Sequence, residues 1–308
     1  MKVIGYNPAV MAVMNEVPRE GIVHSKFASS VNLQFGERLV NLANEEHGKL
    51  PFGVLVNEKE LPLLIHAISL GDFVYWNPLT EELSFRLSGH VLEFKEGNRF
   101  AQKPRVTTFD LDRIKRNTGK LINLLVDENR SNGFGGSMED TILAIFGNFA
   151  RNSSCDSFPP SSSFAESIQQ LKLAFVSRNN NLMQEILRFF IGRGPGLTPS
   201  GDDLLIGFLV ALVYGRKDTD WFISCMEELI FSSGRLLTTR VSEEYLYYAA
   251  RKQFGSHILE LCDAIFFERF DDVDLALQKA LKVGHTSGMD TIIGILSGLS
   301  LILGADMK

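Results

Sequence analysis

One phrase occurs twice in this chain, and each copy opens an apolar run that predicts a buried helix. Both copies read Ser-Gly-x-Asp, three mostly apolar residues and then Gly, at 200–207 and 287–294. The runs at 204–214 and 292–303 are shorter than the roughly 18 residues that a membrane helix needs. We therefore expect two buried helices that start alike, which suggests a paired site and a possible internal pseudo-twofold.

Composition excludes several classes of protein. The net charge is −6 and there is no Lys/Arg run, so a nucleic-acid surface is not expected. The three cysteines, Cys155, Cys225 and Cys262, are sparse and odd in number, as in a reducing compartment without a disulfide framework. The first residues lack the apolar core of a signal peptide. We expect a cytoplasmic protein without a membrane partner or cofactor, and leave a metal open.

The hydrophobic period changes near residue 109, which predicts two domains and an α+β fold. Residues 1–108 read as a β-rich barrel or sandwich, because short apolar runs alternate with turn signals. Strand candidates are 31–35, 39–43, 53–56, 72–76, 83–87 and 91–94, with Gly36-Glu37 as a type II′ hairpin turn. Residues 109–308 are expected to be helical, with seven to nine helices in the second half of the chain, and 152–163 to be a surface connection.

The segment 192–203 carries the most chemistry. Three glycines in five residues allow a sharp turn and a close ligand approach. Thr198 followed by Pro199 is typical of a helix N-cap, whose first turn would offer free N–H groups and a positive dipole end to an anion. Arg193 could add a guanidinium for phosphate or carboxylate. Candidate substrate-binding residues here are Arg193, Gly196, Thr198, Ser200, Gly201 and Asp202.

Asp203 and Asp290 occupy the same place in the two copies of the phrase. If the helix starts converge, these carboxylates could bind a cation, accept hydrogen bonds from an amide substrate, or simply bond the N–H groups of the opposite helix. Asp202 could likewise satisfy only the helix dipole. Gly207 and Gly294 follow four residues later, where they would let the two helices cross closely. Asp203 and Asp290 are candidate catalytic residues.

Two further segments add polar groups. His285 precedes the second helix start and is a candidate general acid or base, or a local hydrogen-bonding residue. Thr286, Ser287 and Gly288 are cap residues and candidate ligands. At 238–250, Ser242 reads as an N-cap with Glu243 and Glu244 behind it, and Thr239 and Ser242 could line a site. Tyr245 and Tyr248 share a helix face that core packing explains.

Three stretches together resemble the bacterial domain-of-unknown-function family that includes the small subunit of oxamate carbamoyltransferase, an enzyme of anaerobic allantoin breakdown and hence of purine catabolism. They are Gly-Pro-Gly-Leu-Thr-Pro-Ser-Gly-Asp-Asp at 194–203, Val-Ser-x-x-Tyr-Leu-x-Tyr-Ala-Ala at 241–250 and Gly-His-Thr-Ser-Gly-x-Asp-Thr at 284–291. The hairpin region 31–43 is similar to the family's N-terminal portion.

The resemblance implies a subunit of a carbamoyltransferase that handles carbamoyl phosphate, oxamate or oxalurate beside two larger subunits. The Ser-Thr-Arg-Thr phosphate motif of other carbamoyltransferases is absent, and 238–240 is only a faint echo of it. The chain could therefore complete a site housed elsewhere. Two alternatives remain from the residues alone: a non-catalytic binding or assembly protein, and an independent enzyme acting on a small amide or acid.

Overall fold

The computed structural model describes residues 1–105, 107–128, 130–147, 164–231 and 236–304. It divides into two compact units. The first comprises Met1–Lys103 with Gln253–His257, and the second comprises Pro104–Lys252 with Ile258–Lys308.

The first unit is built on one curled nine-stranded sheet. Its strands are β1 Val3–Tyr6, β2 Glu20–Lys26, β3 Ser30–Phe35, β4 Arg38–Ala43, β5 Gly53–Val56, β6 Phe73–Asn77, β7 Glu82–Phe85, β8 Val91–Glu93 and β9 Asn98–Arg99. Their order is β8-β7-β6-β2-β3-β4-β5-β1-β9. A bridge between Lys2 and Glu93 brings the start of β1 to β8, so the sheet curls like a barrel.

The predicted strands are confirmed, and the curled sheet favours the barrel over the sandwich. The β3–β4 hairpin turns at Gly36, whose φ of 56° is the left-handed geometry that the first position of a type II′ turn requires. Alternate residues of β3 and β4 fill a core with β5 and β6. Two helices, α1 Pro8–Asn15 and α2 Leu61–Ala67, interrupt the strands and were not predicted.

The second unit is helical throughout its described part, as predicted. Its helices are α3 Leu111–Glu128, α4 Met138–Phe146, α5 Phe164–Ser177, α6 Asn180–Phe190, α7 Ser200–Tyr214, α8 Asp220–Phe231, α9 Arg240–Ala250, α10 Ser256–Phe266, α11 Asp272–Ala280 and α12 Ser287–Leu303. The described residues hold ten helices from Leu111 onward, and eight of them lie in the second half of the chain, from Phe164 onward, within the expected seven to nine. The expected surface connection at 152–163 lies outside the described residues.

The helices α7 and α12 form the centre of this unit. Both are buried on nearly every side, as their uninterrupted apolar runs predict. A Cβ at Gly207 would lie 1.9 Å from the carbonyl oxygen of Thr291, and one at Gly294 would lie 2.0 Å from that of Leu204. Gly298 faces Ala211 one turn further along, so the helices run parallel and both begin at the same end.

A local pseudo-twofold relates the two helix starts. Gly201 packs on the carbonyl of Phe190, the last residue of α6, while Gly288 packs on the carbonyl of Ala280, the last residue of α11. Added Cβ atoms there would lie 1.9 and 2.2 Å from those oxygens. Each copy of the repeated phrase is therefore a helix that begins against the end of the preceding helix, which explains its first glycine.

Two predicted N-caps lie elsewhere. The residue before α7 is Pro199, not Thr198, and its ring leaves no side chain to cap the helix. The N-cap of α9 is Thr239, whose hydroxyl accepts from the N–H of Ser242 at 3.0 Å. Ser242 is thus the third residue of α9, where its own hydroxyl is free to bond another helix.

None of the described helices combines the length and apolar character that crossing a membrane requires. Cys225 and Cys262 are buried free thiols, and Cys155 lies outside the described residues.

Candidate functional site

The two helix starts bring together the aspartates of the repeated phrase. Asp203 and Asp290 are 5% and 0% exposed. Asp203 faces the hydroxyl of Ser287 at the start of α12, and Asp290 faces that of Ser200 at the start of α7. The hydroxyl of Thr198 donates to Ser287 at 3.3 Å, which closes the gap between the helices. Each carboxylate therefore faces the serine at the start of the other helix, and we call Asp203 and Asp290 the crossed pair.

Each carboxylate keeps one oxygen that no described group satisfies. Oδ2 of Asp203 and Oδ2 of Asp290 are buried and have no hydrogen-bond partner among the described residues. A buried acceptor without a donor costs roughly 1–3 kcal/mol, and a charged one costs more. The first turns of α7 and α12 therefore carry two buried acceptors without a donor among the described residues.

Asp202, next to Asp203 in sequence, serves a different purpose. It is 0% exposed, and its carboxylate accepts from the N–H of Gly192 at 2.9 Å and from the hydroxyls of Ser242, at 2.7 Å, and Thr238. These donors come from the turn after α6 and from the start of α9. Asp202 therefore links three segments of the chain. The candidate ligand residues Asp202 and Ser242 are hydrogen-bonded to each other.

A loop from a distant part of the chain covers the crossed pair. The N–H of Gly133 donates to Oδ1 of Asp290 at 2.8 Å. A Cβ at Gly133 would lie 1.8 Å from the Ser200 hydroxyl, so only glycine fits there. Its neighbour Asn132 is 7% exposed; Oδ1 accepts from the N–H of Phe134, while Nδ2 has no partner among the described residues.

The expected free N–H groups at the first helix start are not free. The N–H of Gly201 bonds the carbonyl of Arg193, and those of Asp202 and Asp203 bond that of Pro199. At the second start, the N–H of Gly288 bonds the carbonyl of Val283. The glycine-rich turns themselves therefore supply acceptors for these N–H groups, and the anion site stays a prediction. The aligned dipoles remain, and two helix starts at one end add their positive fields.

The other predicted site residues lie around this centre. Arg193 is exposed, and its guanidinium lies 3.8 Å from the centroid of the Phe189 ring. Gly196 is exposed with a φ of 94° and open space around it. His285 is exposed in the turn before α12, and Thr286 is the N-cap of that helix and faces Asp290. Thr239 holds the carbonyl of Leu197 through its hydroxyl.

Burial sets the protonation of the pair. Desolvation raises the pKa of Asp203 well above its usual range; Ser287 and Thr198 oppose the rise, while the charges of Asp290 and Asp202 add to it. Desolvation also raises the pKa of Asp290, against the donors Gly133, Ser200 and Thr286. In both carboxyls, therefore, burial is the largest cause of the raised pKa, and it disfavours the charged form.

This raised pKa predicts how stability depends on pH. The folded chain holds a proton on Asp203 that the unfolded chain loses near pH 4. The stability that this proton contributes to the fold is therefore lost as pH rises through the folded pKa. Asp203→Asn should flatten that decline and stabilise the neutral-pH fold by about 1 kcal/mol or more. Urea denaturation of the full chain between pH 4.5 and 8 measures it.

The exposed Asp220 is the matched control, since a hydrogen bond with Lys252 lowers its pKa. Asp220→Asn should leave the decline with pH in place. Identical pH slopes for wild type and Asp203→Asn would contradict a raised pKa at Asp203.

Three residues of the site were missed as functional candidates. Asn132 and Gly133 belong to a Ser/Gly-rich stretch that reads as a plain loop. Tyr245 was expected to be a core residue; burial, and after it the charge of Asp203, raises the pKa of its phenol. The recurrence of glycine at 133, 135 and 136 was the available signal for a close backbone approach.

The described residues contain no group of three or more His, Cys, Asp or Glu side chains that could hold a metal ion. Asp203 and Asp290 together carry four carboxylate oxygens, one of which already accepts from the N–H of Gly133, fewer than the six or more that Ca²⁺ takes.

Comparison with family models identifies the chain. Residues 2–99 match the AllH family N-terminal domain, and residues 190–299 match the model described as oxamate carbamoyltransferase subunit AllH. The second match contains α7, α9 and the first part of α12, and with them the crossed pair. No solved structure matches the chain significantly. The two family matches cover most of the sequence, and the chain therefore belongs to the AllH family.

Proposed function

We propose that this chain is a subunit of a carbamoyltransferase-type enzyme that acts on oxamate, oxalurate and carbamoyl phosphate. Its small-molecule site lies at the parallel starts of α7 and α12. The observation that carries the proposal is the pair of buried oxygens, Oδ2 of Asp203 and of Asp290, that no described group satisfies. The family description, oxamate carbamoyltransferase subunit, supports the reaction class.

The chemistry of carbamoyl transfer suits such a pair. The amide nitrogen of oxamate attacks the carbamoyl carbon of carbamoyl phosphate, a C–N bond forms, and the C–O bond to phosphate breaks. The nitrogen must lose a proton, which a carboxylate of Asp203 or Asp290 accepts. A pair with raised pKa values returns that proton in the reverse direction. His285, exposed beside the second helix start, is the candidate donor to the departing phosphate.

Most of the remaining candidate ligands position the two carboxylates and the helix starts. Ser200 and Ser287 orient the two carboxylates, Gly201 and Gly288 let the helices start close to the preceding ones, and Asp202 holds the turn in place. Arg193 and Gly196 lie on the exposed side of the same turn, where a substrate phosphate would meet a cation and an open backbone. The other subunits of the enzyme are its expected partners.

The test is reconstitution of the enzyme with and without this chain. Oxalurate and phosphate are supplied, and carbamoyl phosphate is measured. We expect its formation to fall to background when the chain is omitted and to return when it is added back. Larger subunits that turn over oxalurate equally well alone would contradict a role in the reaction.

A further inference from the structure

The crossed pair and the loop above it carry a specific set of unsatisfied polar atoms. Two are acceptors, Oδ2 of Asp203 and Oδ2 of Asp290, and one is a donor, Nδ2 of Asn132. All three side chains are more than nine-tenths buried. Asn132 immediately precedes Gly133, whose N–H bonds Asp290, so the donor belongs to the loop segment that contacts one of the two acceptor side chains. Buried polar groups are seldom left unpaired, so this set describes the ligand it fits.

We propose that these atoms recognise a primary amide: Asp203 and Asp290 each accept one N–H of its NH2 group, and Asn132 donates to its carbonyl oxygen. This rests on the proposed function and names which end of the substrate enters the site. The two acceptors are related by the local pseudo-twofold of α7 and α12, and the two hydrogens of an NH2 group are arranged symmetrically about its C–N bond. Asn132 would supply what the pair lacks, a donor for the amide oxygen.

Other ligand classes fit this set less well. A carboxylate brings only acceptors, and burial already makes negative charge costly at the pair. A metal ion would leave the Asn132 donor unused, and the described residues hold no group of three or more His, Cys, Asp or Glu side chains that could bind one. A primary amide is neutral and carries two donors beside one acceptor, so it satisfies every unpaired atom without adding charge.

For the amide to enter, the covering loop has to open, because Gly133 seals the pair. Gly135 and Gly136 have φ values of 79° and 82°, and a Cβ added at either position would meet nothing within 4 Å. No neighbouring atom therefore packs against these two positions of the loop. The remainder of the substrate then lies on the loop side of the helix starts.

A binding series on the wild-type assembled enzyme tests the proposal without any variant. The probes are oxamate, oxalate, in which a charged oxygen replaces the NH2 group, and N,N-dimethyloxamate, which lacks both N–H groups. By isothermal titration calorimetry we expect oxamate to bind about 100-fold more tightly than either analogue, since each buried acceptor left without its N–H donor weakens binding about 10-fold or more. Equal or tighter binding of oxalate or of the dimethyl analogue overturns the proposal.

Variants then show which residues cause the preference for oxamate over its analogues. Asn132→Ala should weaken oxamate binding about 10-fold, and Asp290→Asn should bring the affinities for oxamate and oxalate closer together. Asp220→Asn, on the exposed start of α8, is the control that changes neither. Unchanged discrimination in folded Asp290→Asn protein would contradict the assignment. Magnesium is titrated separately, and oxamate binding that requires it would also overturn the proposal.

The outcomes separate this proposal from the proposed function. If omission of the chain abolishes carbamoyl phosphate formation but oxalate binds as well as oxamate, only the amide assignment fails. If omission has no effect on turnover and the discrimination persists, the chain binds an amide outside the reaction.

Discussion

Gly207→Ala is expected to destabilise the helical unit by about 3 kcal/mol or more, or to prevent folding. The new Cβ would lie 1.9 Å from the carbonyl oxygen of Thr291 and 2.9 Å from the N–H nitrogen of Ile295. Both are backbone atoms of a buried helix, so no flexible side chain can move aside, and α7 and α12 must separate. Alanine in place of glycine improves helix propensity by about 1 kcal/mol at most, and overpacking of this severity outweighs it.

Gly119 supplies the matched control. It also lies within a helix, but an added Cβ there meets nothing within 4 Å. Gly119→Ala should therefore be neutral or stabilising by up to about 1 kcal/mol. Urea denaturation of the two variants measures the difference. Gly294→Ala, with a Cβ 2.0 Å from the carbonyl of Leu204, should behave like Gly207→Ala. Similar stabilities of the Gly207 and Gly119 variants would contradict the close crossing.

Asp203→Asn and Asp290→Asn are each expected to lower carbamoyl phosphate formation from oxalurate about 100-fold or more. Each change removes a carboxylate that can exchange a proton with the amide nitrogen, and proton transfer by a positioned group contributes about 10²–10⁴-fold. The raised pKa of Asp203 makes its variant more stable at neutral pH, so unfolding cannot account for the loss. Initial rates of the reconstituted enzyme, with kcat and KM separated, measure the effect.

Asp220→Asn should retain full activity, because that carboxylate is exposed and pairs with Lys252. If both site variants remain folded, bind oxamate and turn over normally, the crossed pair serves assembly and not chemistry. The reciprocal packing of Gly207 and Gly294 would then be the main purpose of the repeated phrase, and the chain would act as a structural subunit.

The repeated phrase was sufficient to predict that the two helices lie together, but not how their starts are bonded. Within one copy, Ser200 and Asp203 are three residues apart, a spacing that predicts a bond inside a single helix. In the fold, Asp203 instead faces Ser287, and Asp290 faces Ser200. Only the parallel direction of the helices makes this exchange possible, and no local pattern encodes that direction.

Strands were easier to predict from sequence than the site. The alternation and the Gly36 turn of the β3–β4 hairpin are local signals, and the structure follows them. The Gly133 contact is different in kind, because it joins positions 133, 200 and 290. Asp202 likewise looked like a simple dipole partner until the fold placed Thr238 and Ser242 against it. Contacts between distant segments depend on packing that a single sequence does not display.

A crystal structure of the assembled enzyme with oxamate would show directly whether the substrate binds at Asp203 and Asp290. We expect the oxamate nitrogen to lie within hydrogen-bonding distance, about 3 Å, of Oδ2 of both aspartates, with the amide oxygen facing Asn132. Oxamate bound elsewhere, with Gly133 still bonded to Asp290 and the two carboxylates sealed beneath the loop, would contradict it.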